Sequence, residues 1–148
     1  MAHTYTNLIF HIVFSTGGHV KLLTKERRAE LFAYMAALVK EKGGKPLMIN
    51  GVEDHVHMLI ELPSTIALSD LMRFVKANSS RWFKQRFNMK FAWQTGFGAF
   101  TVSRSGVKAV SQYIRDQEQH HQSRDFRSEF ITLLQKNEIE FDEEYLWK

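Results

Sequence analysis

Between Val52 and Leu62 the chain runs Val-Glu-Asp-His-Val-His-Met-Leu-Ile-Glu-Leu, an alternation that fits a β-strand. Successive side chains of a strand point to opposite sides, so Val56, Met58, Ile60 and Leu62 form one apolar face. The other face carries His55, His57 and Glu61. The two histidines then project the same way, about 7 Å apart along the strand, and two imidazoles presented together can share one cation. An isolated His-x-His pair is more often two hydrogen-bonded, partly buried histidines. What the rest of the chain offers as partners therefore decides its meaning.

The partner is the stretch Ser111 to Gln117. Val107, Val110 and Ile114 recur at spacings of three and four, which predicts a helix, and Tyr113 and Gln117 at i, i+4 share one of its faces. A phenol and an amide oxygen are thereby presented together. An amide completes a metal's shell as a neutral oxygen ligand, leaving the cation's charge to act on a phosphate.

Charge is segregated along the sequence. Residues 1–70 carry seven Lys/Arg and seven Asp/Glu, residues 71–115 carry nine and none, and residues 116–148 carry four and nine, so the net +4 understates the local field. Arg73, Lys76, Arg81, Lys84, Arg86, Lys90, Arg104, Lys108 and Arg115 are interleaved with Trp82, Phe83, Trp93 and Phe97. That mixture suits neutralised phosphates and stacked bases, and it makes these cations, with Trp93, the candidate nucleic-acid-binding residues. The competing reading is amphipathic packing, with Phe74, Trp82 and Phe83 in the core and the cations on a solvated helix face.

The elements follow a split βαβ order. Tyr5 to Ser15 reads as a strand with Leu8, Phe10, Ile12 and Phe14 on one face. A helix from Thr24 to about Lys42 is ended by Gly43-Gly44. Pro46 to Gly51 and Glu53 to Leu62 form a hairpin, and Pro63-Ser64-Thr65 leads into a helix with Leu68, Leu71, Met72, Val75, Trp82 and Phe83 inward. Phe97 to Ser103 is the fourth strand, before the tyrosine helix capped by Ser103 or Ser105. Phe126, Phe130, Leu133 and Leu134 mark a docked C-terminal helix, and Phe141 to Trp147 a tail. The predicted fold class is α+β, a ferredoxin-like antiparallel sheet with helices on one face and the tyrosine-bearing and C-terminal helices added.

With 148 residues, 44% of them apolar, and no repeat or linker, residues 1–148 read as one domain. Cysteine is absent, which removes disulfides and thiolate metal sites from consideration and suits a reducing compartment. Leu8 to Phe14 is too short for a signal peptide and no apolar run reaches membrane-spanning length, so the expectation is a cytoplasmic protein without a membrane partner.

Taken in order, the opening strand His11 to Thr16, the stretch Asp54 to Leu59, the aromatic segment Phe91 to Phe100, the Tyr113-x-x-x-Gln117 helix and the end Phe141 to Trp147 resemble the IS200-type single-tyrosine transposases of the HUH family. The resemblance implies a nuclease and strand transferase acting on single-stranded DNA with hairpin ends. In that reading Tyr113 attacks a phosphodiester to give a 5'-phosphotyrosine and a free 3'-hydroxyl, and His55, His57 and Gln117 hold a divalent ion. Imidazoles with an amide and open water positions suit Mg²⁺ or Mn²⁺, Mn²⁺ being the better match to nitrogen. The resemblance also implies a homodimer in which the tyrosine helix of one subunit completes the site of the other.

His120 and His121 share the face of Tyr113 if its helix continues, and are candidates for a role beside the metal or the DNA. His3, His11 and His19 read as structural. One departure stands out: the loop Thr16 to Lys21, usually basic in the family, carries a single fixed charge. Two other functions remain open, a non-cutting binder of hairpin nucleic acid and a metal-dependent hydrolase in which Tyr113 only positions water.

Overall fold

The alternating segment is a strand, β3 (His55–Glu61), and it lies inside a sheet. In the computed structural model, which describes residues 3–122 and 124–147, β3 pairs with β2 (Lys45–Gly51) on one side and β1 (Ile9–Ser15) on the other, and β1 pairs in turn with β4 (Gly98–Thr101). All pairs are antiparallel and the order is β2-β3-β1-β4. Helix α1 (Lys25–Glu41) joins β1 to β2 and α2 (Leu68–Phe87) joins β3 to β4, giving the expected ferredoxin-like α+β arrangement.

The period-two pattern sorts the two faces. Ile12 and Phe14 of β1 and Val56, Met58 and Ile60 of β3 are fully buried against Leu31 and Met35 of α1 and Leu71, Val75 and Phe83 of α2. Each such side chain contributes about 1.5–3 kcal/mol through the area it removes from water. The opposite face holds Ile9, His11, Val13 and Ser15 beside His55, His57 and Leu59, because the β1–β3 register sets Val13 across from His57 and His11 across from Leu59. This face is covered by α3 (Val107–Arg115), through Ile114 on Ile9 and Leu59, and by α5 (Phe126–Lys136), through Phe126, Phe130 and Leu134 on Val13 and Phe100. A four-residue helix, α4 (Gln117–His120), connects them, and α6 (Glu143–Leu146) follows near the end.

Several boundaries differ from expectation for local reasons. The first helix begins at Lys25, one residue after Thr24, whose side chain makes no capping hydrogen bond. The tyrosine helix is capped by neither Ser103 nor Ser105: their hydroxyls bond each other at 3.1 Å, and a 3-10 turn, Arg104–Gly106, delivers the chain to α3. Nor does α3 continue to Gln117. Asp116, at φ −92° and ψ 22°, ends it, and Asn50 of β2 donates to the carbonyls of Ile114 and Arg115 at 3.1 and 3.0 Å. Those carbonyls lack helical partners, so a sheet residue fixes the end of the helix that carries Tyr113.

The acid-free segment does not form one surface. Arg73, Lys76, Arg81, Lys84 and Arg86 ride on α2, against one face of the sheet, whereas Lys108 and Arg115 ride on α3, against the other. Among the described residues no helix is long and apolar enough to cross a membrane.

Candidate active site

Strand β3 delivers His55 and His57 side by side on the α3/α5 face, both fully buried, with ring centroids 5.2 Å apart. Burying two imidazoles requires that their nitrogens be satisfied, and each has a partner on either side. His55 Nδ1 lies 2.7 Å from Asp54 Oδ1, and its Nε2 lies 3.2 Å from Gln117 Oε1 and 3.3 Å from Glu129 Oε1. His57 Nδ1 shares a 2.8 Å hydrogen bond with His11 Nε2, and its Nε2 lies 2.9 Å from Glu129 Oε1.

Glu129, carried by α5 and itself fully buried, is the hub. Its Oε1 faces three imidazoles, since His121 Nε2 is 3.0 Å away. Its Oε2 accepts from the Tyr113 hydroxyl and, at 3.2 Å, from Gln117 Nε2. One oxygen is thus turned to the histidines and the other to the phenol.

The electrostatics follow from this packing. Burial pushes the Glu129 carboxyl upward, but hydrogen bonds from His121, His55 and His57 outweigh it and hold the group well below the usual carboxylate range. Burial opposes charge on His55, yet hydrogen bonds to Asp54 and Glu129 carry it up to about 9. With less compensation, burial drives His57 down to about 4 and His11 down to about 3. Burial, and then the neighbouring Glu129 charge, raise the Tyr113 phenol above its ordinary value, while Arg124, whose Nη2 is 3.4 Å from the hydroxyl, opposes the rise.

The sequence-derived candidates fare unevenly. His55, His57, Tyr113 and Gln117 converge, Gln117 by way of α4 after the break at Asp116. His121 joins the imidazoles, its ring 4.4 Å from that of His55, while His120 stacks on Tyr113 at 4.5 Å. His11, read from sequence as structural, is instead the direct partner of His57. Glu129, Asp54 and Arg124 also belong to the site and are not among the sequence-derived candidates. Glu129 had a signal: it falls between Phe126 and Phe130 on the stripe that helical spacing turns inward, and an acid there must be paired.

Among the nucleic-acid candidates Trp93 needs correction. It is 8% exposed, its Nε1 donates to Ser79 Oγ at 2.9 Å, and its ring packs edge-on to Phe14, so no base can stack on it. Lys76 is likewise committed, its Nζ donating to the carbonyls of Gln94, Thr95 and Gly96 at 2.7, 3.2 and 2.7 Å. Arg73, Arg86 and Arg104 make surface pairs with Asp70, Glu30 and Glu61. Arg81, Lys84, Lys90, Lys108 and Arg115 are exposed.

The fit to a metal rests on the donors themselves. His55, His57, His121 and Glu129 each offer one ligand atom, and the four atoms lie within 4.8 Å of one another. Asp54 and His11 engage the far nitrogens of His55 and His57, as the orienting partners of metal-binding imidazoles do. Three imidazoles and a carboxylate make a set richer in nitrogen than the His55, His57 and Gln117 trio.

Known proteins resemble the chain over most of its length. The family described as "Transposase IS200 like" matches residues 4–117. The transposases for insertion sequence element IS200 of Salmonella typhimurium and Salmonella typhi are each 29% identical over 124 residues, covering 79% of this chain and 81% of theirs. A candidate transposase from Deinococcus radiodurans R1 superposes with a TM-score of 0.64 at 20% identity, covering 79% of this chain and 96% of that one. A REP-associated tyrosine transposase bound to a REP hairpin gives 0.62 at 14% identity, covering 82% and 73%. With a strand-borne histidine pair facing a helix-borne tyrosine, and with a family match over most of its length, the chain belongs to the IS200-like transposase family.

Proposed function

We propose that this protein cleaves and rejoins single-stranded DNA at hairpin-containing ends through a 5'-phosphotyrosine formed on Tyr113, with a divalent metal held beside it. The observation that carries the reading is the convergence of the Tyr113 hydroxyl and three imidazoles on the two oxygens of one buried carboxylate. His55, His57, His121 and Glu129 would hold the ion, Mn²⁺ or Mg²⁺, with Gln117 beside them as a neutral oxygen donor. Lewis-acid polarisation of the phosphodiester is the chemistry such an ion supplies when bound.

The chain's own groups account for the remaining steps. Tyr113 is fixed from three sides, by Glu129, by the His120 ring and by α3, whose end Asn50 pins to the sheet. As its oxygen bonds to phosphorus, the phenol gives up its proton. The P–O3' bond breaks, and the 3'-oxygen gains a proton as the phenol loses one. The phosphodiester survives as a tyrosyl ester, so an incoming 3'-hydroxyl can reverse the step without ATP. Lys108 and Arg115, on the exposed side of α3, and Arg104 beside them provide positive charge for the hairpin backbone on the face that carries the site. A cytoplasmic location goes with such a substrate.

A denaturing gel tests the reading. Incubated with Mn²⁺ and a pool of single-stranded hairpin oligonucleotides, the wild type is expected to form a protein-linked DNA adduct that Tyr113→Phe does not. Nicked DNA from Tyr113→Phe would instead support the hydrolase, and a mobility shift without cutting the binder.

The expectation of sites shared between subunits meets a geometry in which Tyr113 reaches the imidazoles of its own chain. That contact within one chain supports a site built by a single copy, and we assign it so. Mixing His57→Ala protein with Tyr113→Phe protein is accordingly expected to leave adduct formation unrestored. Rescue on mixing would show that α3 is exchanged between the subunits of a homodimer.

A further inference from the structure

The geometry points to Arg124 as the residue that grips the scissile phosphate beside Tyr113 and offsets its charge during strand transfer, an inference that rests on the tyrosine reading above. Arg124 lies beyond residues 4–117, the stretch shared with the family, and in a part of the chain that is acidic on balance.

Three observations carry it. First, Arg124 Nη2 donates to the Tyr113 hydroxyl at 3.4 Å, so the guanidinium is next to the oxygen that would attack phosphorus. Second, Arg124 lines two cavities, and Tyr113 lines the smaller of them with it. The larger, about 630 Å³, is bounded by Arg28, Asp54 and His121 among others. The smaller, about 230 Å³, is bounded by His11, Tyr113 and Lys136. A phosphate that reaches Tyr113 through the smaller cavity meets the exposed Arg124, which the larger cavity shares.

Third, the charge balance at the hydroxyl calls for a cation. The phenol already faces the Glu129 carboxylate, and an arriving phosphodiester adds a second negative charge at close range, where like charges repel. A guanidinium presents paired N–H donors matched to two phosphate oxygens, a geometry that an ammonium cannot reproduce. In the transfer itself the Tyr113 Oη–P bond forms and the P–O3' bond breaks. Arg124 takes no proton and forms no covalent bond, and its contribution is to the charge on the equatorial oxygens.

The test uses full-length protein, Mn²⁺ and a hairpin oligonucleotide that the wild type converts to adduct, with rates measured in single turnover at saturating DNA. Arg124→Gln is expected to slow adduct formation about 100-fold with hairpin affinity little changed, and Arg124→Lys to recover part of the loss. Replacing the scissile phosphate by a neutral methylphosphonate should shrink the Arg124→Gln defect to within about threefold, since the charge that Arg124 offsets is gone. A side chain that merely props up Tyr113 would give the same defect on both substrates. Arg124→Gln working at the wild-type rate, or a defect confined to DNA affinity, would overturn the assignment while leaving the tyrosine mechanism intact. A wild type that forms no adduct on any hairpin would remove the tyrosine mechanism, and this inference with it.

Discussion

Glu129→Ala is expected to lose both the metal and much of the protein's stability. In the wild type one oxygen of this buried carboxylate faces His55, His57 and His121, and the other receives Tyr113 and Gln117. Removing one partner of a buried charged group leaves the others uncompensated, at a cost of about 3–5 kcal/mol. For a chain of this size that corresponds to a melting temperature lower by roughly 6–20 °C. Loss of the single carboxylate among four donors should weaken Mn²⁺ binding at least about 100-fold, more than loss of an orienting partner does. Glu129→Gln preserves the volume and can still accept from Tyr113, so it should recover part of the stability and little of the metal affinity. Calorimetric unfolding with and without Mn²⁺ separates the two effects. A Glu129→Ala protein with wild-type melting and wild-type Mn²⁺ titration would show that the hub is incidental.

The contrast between what the sequence disclosed and what it concealed has a physical basis. His55 and His57 were legible because a strand's period is local, and Tyr113 because a helix's period is local. The ferredoxin-like order followed from counting such segments. His11 sits in an equally legible strand, and the alternation that put Ile12 and Phe14 on one face placed it on the other. What could not be read is that β1 pairs with β3 so as to seat His11 beside His57, a register set by contacts 46 residues apart. The segregated cations misled for the same reason: neighbours in sequence, they are divided by the sheet into two faces. Trp93 looked like a stacking platform until its place against Phe14 and Ser79 was known. Glu129 is the case where more could have been extracted, since an acid in the apolar stripe of a docked helix announces buried partners even when it does not name them. Arg124 gave no such signal, because its position depends on how the chain turns between α4 and α5.

The second large effect is expected at Gly51, where a single methyl group should disturb the site without touching any of its side chains. Gly51 ends β2 opposite Val56, and the turn Val52 to Asp54 returns the chain to His55. A Cβ built on Gly51 would lie 2.2 Å from the carbonyl oxygen of His55 and 3.0 Å from Val56 Cα. Both are backbone atoms of a central strand, so no side chain can swing aside and the hairpin itself must open. Overpacking of this kind costs about 3 kcal/mol, or roughly 6–12 °C in melting temperature. The same opening displaces His55 from Asp54 and Gln117, so Mn²⁺ should also stabilise Gly51→Ala less than it stabilises the wild type. Gly96→Ala is the matched control, because a Cβ there meets nothing within 4 Å, and its effect should stay within about 0.5 kcal/mol. If Gly51→Ala melts with Gly96→Ala and binds Mn²⁺ as the wild type does, the tight hairpin is not what holds His55 in place, and the geometry of the histidine pair must be maintained from the α5 side through Glu129.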